Sequence, residues 1–315
     1  MLRYSLTLLL LLWTTTLFAT VSVVGKIEDL ACPSDYYSLE RQGEPLPVRI
    51  FTELQAGDKL ALKSDKLVLP SKENGVGPCK TVINPETPIL SISLNGKPNQ
   101  IVKLPYTVPA GPAIATTTGN VISQISSWLN QQHDNQLKVL VSLTGKANDS
   151  LKPQIAVLKG NHQKLLAGDR KLLIAWQFGK PPFTVTISGN GGQPQTYHNL
   201  LQRKLQQRLK LMPGRYRLTL KDANQQTADY SFTVVDSQLQ LPSSQKLRDL
   251  TDQSARLVAQ TLCLAVQDKG IWRFEAIQQI AQLAESDAPA KILRDALLQN
   301  AEISPLDLLE GDCAD

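Results

Sequence analysis

The chain has 315 residues, 42% hydrophobic and 19% charged, so it is long enough for two or three domains with ordinary cores and too apolar to be disordered. Its net charge of +5 is mild for a nucleic-acid binder, which concentrates Lys and Arg on one face. Aromatic residues are 5%, few for stacking bases or sugars, so nucleic acid is not an expected partner.

The N-terminal stretch MLRYSLTLLLLLWTTTLFATVSVVGK opens with Arg3 and is uncharged from Tyr4 to Gly25. A short basic start followed by an apolar run is the layout of a secretory signal. The run also approaches the ~20 residues that span a bilayer, so residues 1–25 are expected to be a cleaved signal or a retained membrane anchor. Candidate cleavage points follow Ala19, Ser22 or Gly25, and Glu28 and Asp29 stand where a lipobox would need apolar residues. Either way, the chain from Lys26 onward is expected to be exported: periplasmic, soluble or tethered to the inner membrane. Cys32, Cys79, Cys263 and Cys313 all follow the apolar run, as disulfides in an exported chain would. Three pairings are open; Cys32–Cys79 with Cys263–Cys313 keeps each bond within one compositional region. With no CxxC spacing, neither metal nor cofactor is expected.

Residues 26–116 read as an N-terminal β domain, from the short runs VRIFTEL, DKLALK, KLVLP, ILSISLNG and QIVKLPYTV. Turn signals separate them (PETP, NGKP, VPAGP), where proline fixes φ and Gly or Asn accepts a positive one. Over residues 117–136 the period changes: Val121, Ile125, Trp128 and Leu129 fall at helical spacing, which predicts a linking helix.

Residues 137–238 return to a period of two. LKVLVSL alternates Leu137, Val139, Val141 and Leu143; LLIAWQF alternates Leu172, Ile174, Trp176 and Phe178. PPFTVTISGNGG turns Phe183, Val185 and Ile187 inward against Thr184 and Thr186. RYRLTLKD sets Tyr216, Leu218 and Leu220 against Arg215, Arg217, Thr219 and Lys221, and YSFTVV repeats the pattern with Tyr230, Phe232 and Val234. One apolar face per strand is what packed antiparallel sheets require.

IAWQFGKPPFTVTISGNGG followed by LMPGRYRLTLKDANQQTADYSFTVVD resembles the immunoglobulin-like repeats of bacterial surface and envelope proteins. The shared elements are a Trp strand, a G-x-P-P-[YF]-T-V strand start, a P-G-x-Y turn-strand and a closing D-A-N-G hairpin, in which Gln225 here replaces the final Gly. The resemblance implies an immunoglobulin-like β-sandwich and leaves the ligand open. LQAGDKLAL in the first β region resembles, over that short stretch, FecR-like periplasmic sensor domains.

Residues 239–315 read as a small helical bundle. A first helix is expected from Ser243 or Ser244 to Gly270, with Leu247, Leu250, Ala255, Val258, Leu262 and Ala265 as its apolar stripe. WRFEAIQQIAQLAE and SDAPAKILRDALLQN make a second and a third, the last capped by Ser286 or Asp287 with Pro289 in its first turn.

Three copies of Leu-x-small/Pro-Gly-charged, at Leu54, Leu165 and Leu211, read as turns, because strand patterns rather than helices follow Gly57, Gly168 and Gly214 and a phosphate loop needs a helix there. His133, His162 and His198 sit in polar, loop-like contexts and read as surface histidines outside any catalytic spacing. Asp58, Asp169 and Asp222 sit at turns, where Asp bonds its own backbone, and Asp249 and Asp252 read as a solvated helix face. Asn148 begins a glycosylation acceptor triplet, relevant in a eukaryotic source.

The strongest surface feature is basic: Arg208 and Lys210 share one outward side, and Arg215, Arg217 and Lys221 another. Such faces suit anionic lipid headgroups, cell-wall polymers or an acidic partner protein, while a solvated strand that resists aggregation is the ordinary alternative. Trp272 and Phe274 are bundle core or a groove for a partner. Together these features predict a mainly β protein with a C-terminal α module, acting as a non-enzymatic envelope scaffold that binds another envelope protein. A periplasmic sensor or glycan-binding module is the alternative.

Overall fold

The structure is a computed structural model that describes residues 22–63, 90–114, 120–142, 151–160, 162–189, 192–236, 244–303 and Cys313. Expectations for residues 1–21, KLVLP, PETP, Cys79, Leu143 and Asn148 fall outside the described residues. No described helix is long and apolar enough to cross a membrane.

The protein is mainly β, with strands in several antiparallel sheets and a C-terminal helical part. Among the described residues, the N-terminal unit has two four-stranded sheets. One orders β4 (Glu53–Gln55), β1 (Val23–Leu30), β6 (Leu90–Leu94) and β7 (Lys97–Val102). The other orders β3 (Glu44–Leu46), β2 (Tyr37–Arg41), β5 (Lys59–Leu62) and β8 (Tyr106–Thr107). Val24, Ile27, Leu39, Leu54, Leu60 and Ile92 are the centre of their common core. β1 begins inside the apolar run, so a cut after Gly25 would remove residues from a central strand, whereas one after Ala19 or Ser22 leaves it whole. Gly25 itself is required there, since a Cβ would lie 2.2 Å from the Ser93 carbonyl oxygen. VRIFTEL is a strand only in its last two residues: Ile50 and Phe51 form a turn, Phe51 with φ of +67°. Asn95 and Gly96 turn β6 into β7 with both φ positive, as NG is suited to do.

Helix α1 (Asn120–Ser142) is longer than its expected 117–136 span and takes up LKVLVS, which therefore is not a strand. Ile122, Ile125, Trp128 and Leu129 are buried, and α1 is tied to the N-terminal unit by Asn130, whose Oδ1 accepts from the Ile50 amide at 3.1 Å.

In the next unit, among the described residues, a five-stranded sheet faces a two-stranded one. The larger orders β12 (Gln195–Leu200), β11 (Phe183–Gly189), β14 (Gly214–Lys221), β15 (Thr227–Val235) and β9 (Gln163–Leu166), with β9 parallel to β15. The smaller pairs β10 (Gly168–Ala175) with β13 (Lys204–Leu211). Phe183, Val185, Ile187, Tyr216, Leu218, Leu220, Phe232 and Val234 are buried, as their alternation predicts. Tyr216 stacks on Phe232 at 5.4 Å, and Trp176 meets Phe183 edge-on at 5.2 Å. The hairpin at Asp222 closes without its usual glycine: Gln225 takes φ of +65°, and Asp222 Oδ1 accepts from the Gln226 amide at 2.8 Å.

The expected first C-terminal helix is two: α2 (Gln245–Arg248) ends with Asp249 as its C-cap, and Asp252 caps α3 (Gln253–Gly270) by accepting from the Ala255 amide at 2.8 Å. Helical geometry lapses within α3 at Gln267–Lys269. α4 (Arg273–Ile280) and α5 (Ala288–Leu298) follow as expected, α5 capped by Asp287. These helices do not form a separate bundle. One hydrophobic cluster runs from Ile50 through the facing sheets to Leu297 and Ile303, so the expected boundary at 238/239 divides the sequence and not the core. Cys263 and Cys313 are joined, with Cα atoms 5.5 Å apart. Cys32 is also disulfide-bonded; its expected partner, Cys79, lies outside the described residues.

Candidate functional site

The glycines of the three repeated motifs begin or precede strands: Gly57 (φ +87°) leads to β5, Gly168 (φ +136°) opens β10 and Gly214 (φ +147°) opens β14. All three lie in the left-handed half of the backbone map that favours glycine. Gln55 to Asp58 closes as a turn in which Asp58 Oδ2 accepts from the Gln55 amide at 2.8 Å, while Arg41 grips both Asp58 oxygens.

The basic residues divide between the two sheets. Arg208 and Lys210 lie on β13, with Arg208 held bidentately by Asp169 across the ladder at 3.0 Å per contact. That pairing draws the Asp169 carboxyl below its usual range and raises Arg208. Arg215, Arg217 and Lys221 lie on β14, facing outward from the five-stranded sheet, with Arg217 3.3 Å from Asp229. The five cations therefore make two surfaces, not one.

The outer face of the five-stranded sheet is the broader surface. By register, Ser188, Arg217 and Ser231 lie abreast on β11, β14 and β15, as do Thr186, Thr219 and Asp229. Beside them is an open concavity of about 650 Å³, lined by Arg215, Arg217, Ser188 and Ser231 among others. Arg215 has no hydrogen-bonding or ionic partner among the described residues. A second cleft, of about 270 Å³, lies between the turn at Phe51 and α1, with Leu46, Phe51 and Ile122 as its apolar lining and Arg41 and Arg49 also on its wall.

Trp272 and Phe274 are buried and not presented to a partner: Phe274 packs edge-on against Phe232 at 5.6 Å, and the Trp272 indole donates to Asp268 Oδ2 at 3.0 Å. His162 and His198 are exposed as expected, but His133 is buried, because α1 carries it against β1. Its Nε2 lies 2.6 Å from the Leu30 carbonyl oxygen and its Nδ1 3.2 Å from Asp134 Oδ1.

The sequence also concealed a polar junction. Lys26 on β1 is paired with Asp252, the α3 cap, and its Nζ lies 5.2 Å from the Phe51 ring centroid. Glu28, two residues on, accepts from the Asn99 amide at 2.6 Å, and burial raises its carboxyl above the ordinary value, with Asp287 and Asp252 adding to the shift. Asp252 is thus a contact to β1 and not a solvated helix face. The signal was slight: two charged residues at alternating positions of a strand that follows an apolar run. Among the described residues, no group of three or more His, Cys, Asp or Glu side chains is arranged to hold a metal ion.

No protein-family model matches the chain, and no curated protein matches it significantly.

Proposed function

We propose that this is an exported, non-enzymatic envelope protein that acts as a scaffold, binding an acidic surface of another envelope protein through the outer face of an immunoglobulin-like sandwich. The observation that carries this reading is the concavity of about 650 Å³ beside Arg215 and Arg217, where Asp229 holds Arg217 but the Arg215 guanidinium and the Ser188 and Ser231 hydroxyls have no partner among the described residues. Hydrogen-bonding groups of one predominant sign on a rigid sheet select an anionic partner and speed its encounter. The Cys263–Cys313 bond supports export, since such bonds persist in oxidising compartments. An anionic cell-wall polymer or lipid headgroups would meet the same arginines. Cross-linking in native envelopes tests the proposal: the double variant Arg215→Glu/Arg217→Glu is expected to lose a cross-linked protein that the parent retains. An unchanged set of cross-links would overturn it, and retention of the parent on polyglutamate or phosphatidylglycerol vesicles alone would redirect it to a polymer or membrane.

The cleft at Phe51 favours a second reading, a periplasmic sensor or glycan-binding module. Left-handed backbone at a bulky residue is strained, and such strain gathers at ligand clamps. A rise in Tm with cell-wall fragments, abolished by Ile122→Trp in the cleft wall, is its expected signature.

A further inference from the structure

Among the described residues, the smaller sheet of the sandwich has two strands. Five strands face two, and β13 pairs with β10 along its whole length without a bulge. The direction of its unused backbone groups follows from the other edge of the ladder. On β10, the Leu173 amide donates to Gln278 Oε1 at 2.8 Å and its carbonyl accepts from Gln278 Nε2 at 3.0 Å, so both groups point away from β13. In an antiparallel ladder such positions alternate and stand opposite one another. Gln206 is paired with Leu173, so its amide and carbonyl also point outward, and so by period two do those of Lys204, Arg208 and Lys210. The Trp176 amide donating to the Arg203 carbonyl at 3.0 Å fixes the same phase from the end of the ladder. Among the described residues, no strand pairs with that outer edge of β13.

The space beside the edge is open as well. Gln207 alternates inward with Leu205 and Leu209, yet it is exposed. A crevice of about 140 Å³ lies there between the sheets, lined by Ile187 and Gln195 on one side and Leu209, Leu211 and Met212 on the other. Met212, just past the strand, is 51% exposed, and Leu201, just before it, is 76% exposed. The outward face carries Lys171, Lys204, Arg208 and Lys210 against the single carboxylate Asp169.

We propose that the free edge of β13 is a strand-addition site for an extended segment of another protein, with apolar residues alternating with Asp or Glu. The inference rests on the binding reading above and gives it a second surface. Main-chain bonds to Lys204, Gln206, Arg208 and Lys210 supply the pairing. The partner's apolar residues, opposite Leu205, Gln207, Leu209 and Leu211, enter the crevice, and its acids stand beside the lysines and Arg208. A second copy of the same edge fits less well, because overlapping it antiparallel with itself sets cations opposite cations.

A blocked octapeptide alternating glutamate with valine is the probe, with a lysine–valine octapeptide as control. The expected result with the full chain is saturable binding of the acidic peptide, weakening with salt, and slowed amide exchange at Lys204, Gln206, Arg208 and Lys210. Gln206→Pro removes one outward donor without touching the bonds to β10, and is expected to weaken binding at least tenfold. Should that variant not fold, Lys204→Glu/Lys210→Glu serves instead, and is expected to switch preference to the lysine–valine peptide. Equal binding of both peptides, binding indifferent to both variants, or edge protection that appears only on dimerisation would each overturn the proposal. Failure here with the Arg215/Arg217 cross-link intact sinks the edge alone; loss of that cross-link result with the peptide still bound sinks the outer-face reading.

Discussion

Gln225 adopts a left-handed conformation, with φ of +65°, that favours glycine. A side chain there costs ~1 kcal/mol in backbone strain, partly offset by the greater freedom that glycine loses on folding. Gln225→Gly is therefore expected to stabilise the protein by about 0.5 kcal/mol, read as a higher midpoint in urea. Glu28 gives a pH dependence of definite sign. Its carboxyl is raised from 4.5 by burial, so the folded protein holds that proton more tightly than the unfolded chain does. The group thus costs stability at every pH above its folded value, and the cost disappears as pH falls through that value to 4.5. Glu28→Gln keeps an acceptor for the Asn99 amide; its Tm is expected to exceed that of the parent at pH 8, with the gap closing towards pH 4.5. A constant gap would mean that charge at Glu28 is not what burial penalises.

At the scale of elements, α4 explains how the two facing sheets end. It fills the gap between β9 and β10 with side chains acting as strands. Gln278 closes the Leu173 edge, and Glu275 accepts from the Leu166 amide at 3.0 Å while holding both Arg170 nitrogens at 2.8 Å. Glu275 is fully buried, so Glu275→Ala leaves the Arg170 guanidinium without its carboxylate and the Leu166 amide without that acceptor, and is expected to cost about 3–5 kcal/mol in chemical denaturation. The strands β11, β14 and β15 were legible in the sequence because one face of each is buried and the other wet, which writes a period of two. The plug was not, for Glu275 and Gln278 sit among apolar residues of a helix and nothing local says that their partners are backbone groups of distant strands. LKVLVS misled for another reason. Its alternation suits a strand, but it adjoins a formed helix, and extending a helix is far easier than nucleating one. Of the candidate surface, the outward phase of Arg208, Lys210, Arg215 and Arg217 could be read directly; their division between two sheets needed the pairing order.

Over the whole molecule, one continuous hydrophobic cluster from Ile50 to Ile303 is shared by the facing sheets and the helices. Removing residues 242–315 is expected to abolish the cooperative unfolding transition, not to release a docking module; a truncated chain melting with the parent's sharpness would refute this. The Cys263–Cys313 bond spans a separation of 50 residues, a closure worth about 4 kcal/mol by chain entropy. Cys313→Ser, which spares the buried Cys263, is expected to forfeit about 2–4 kcal/mol, measured by urea unfolding.

The order in which these parts leave the ribosome gives the plug a further meaning. β9, β10 and β15 are complete before any residue of α4 exists, so a growing chain at that point carries raw hydrogen-bonding margins and an uncovered apolar slab. Those margins are closed only once Glu275 and Gln278 have been made.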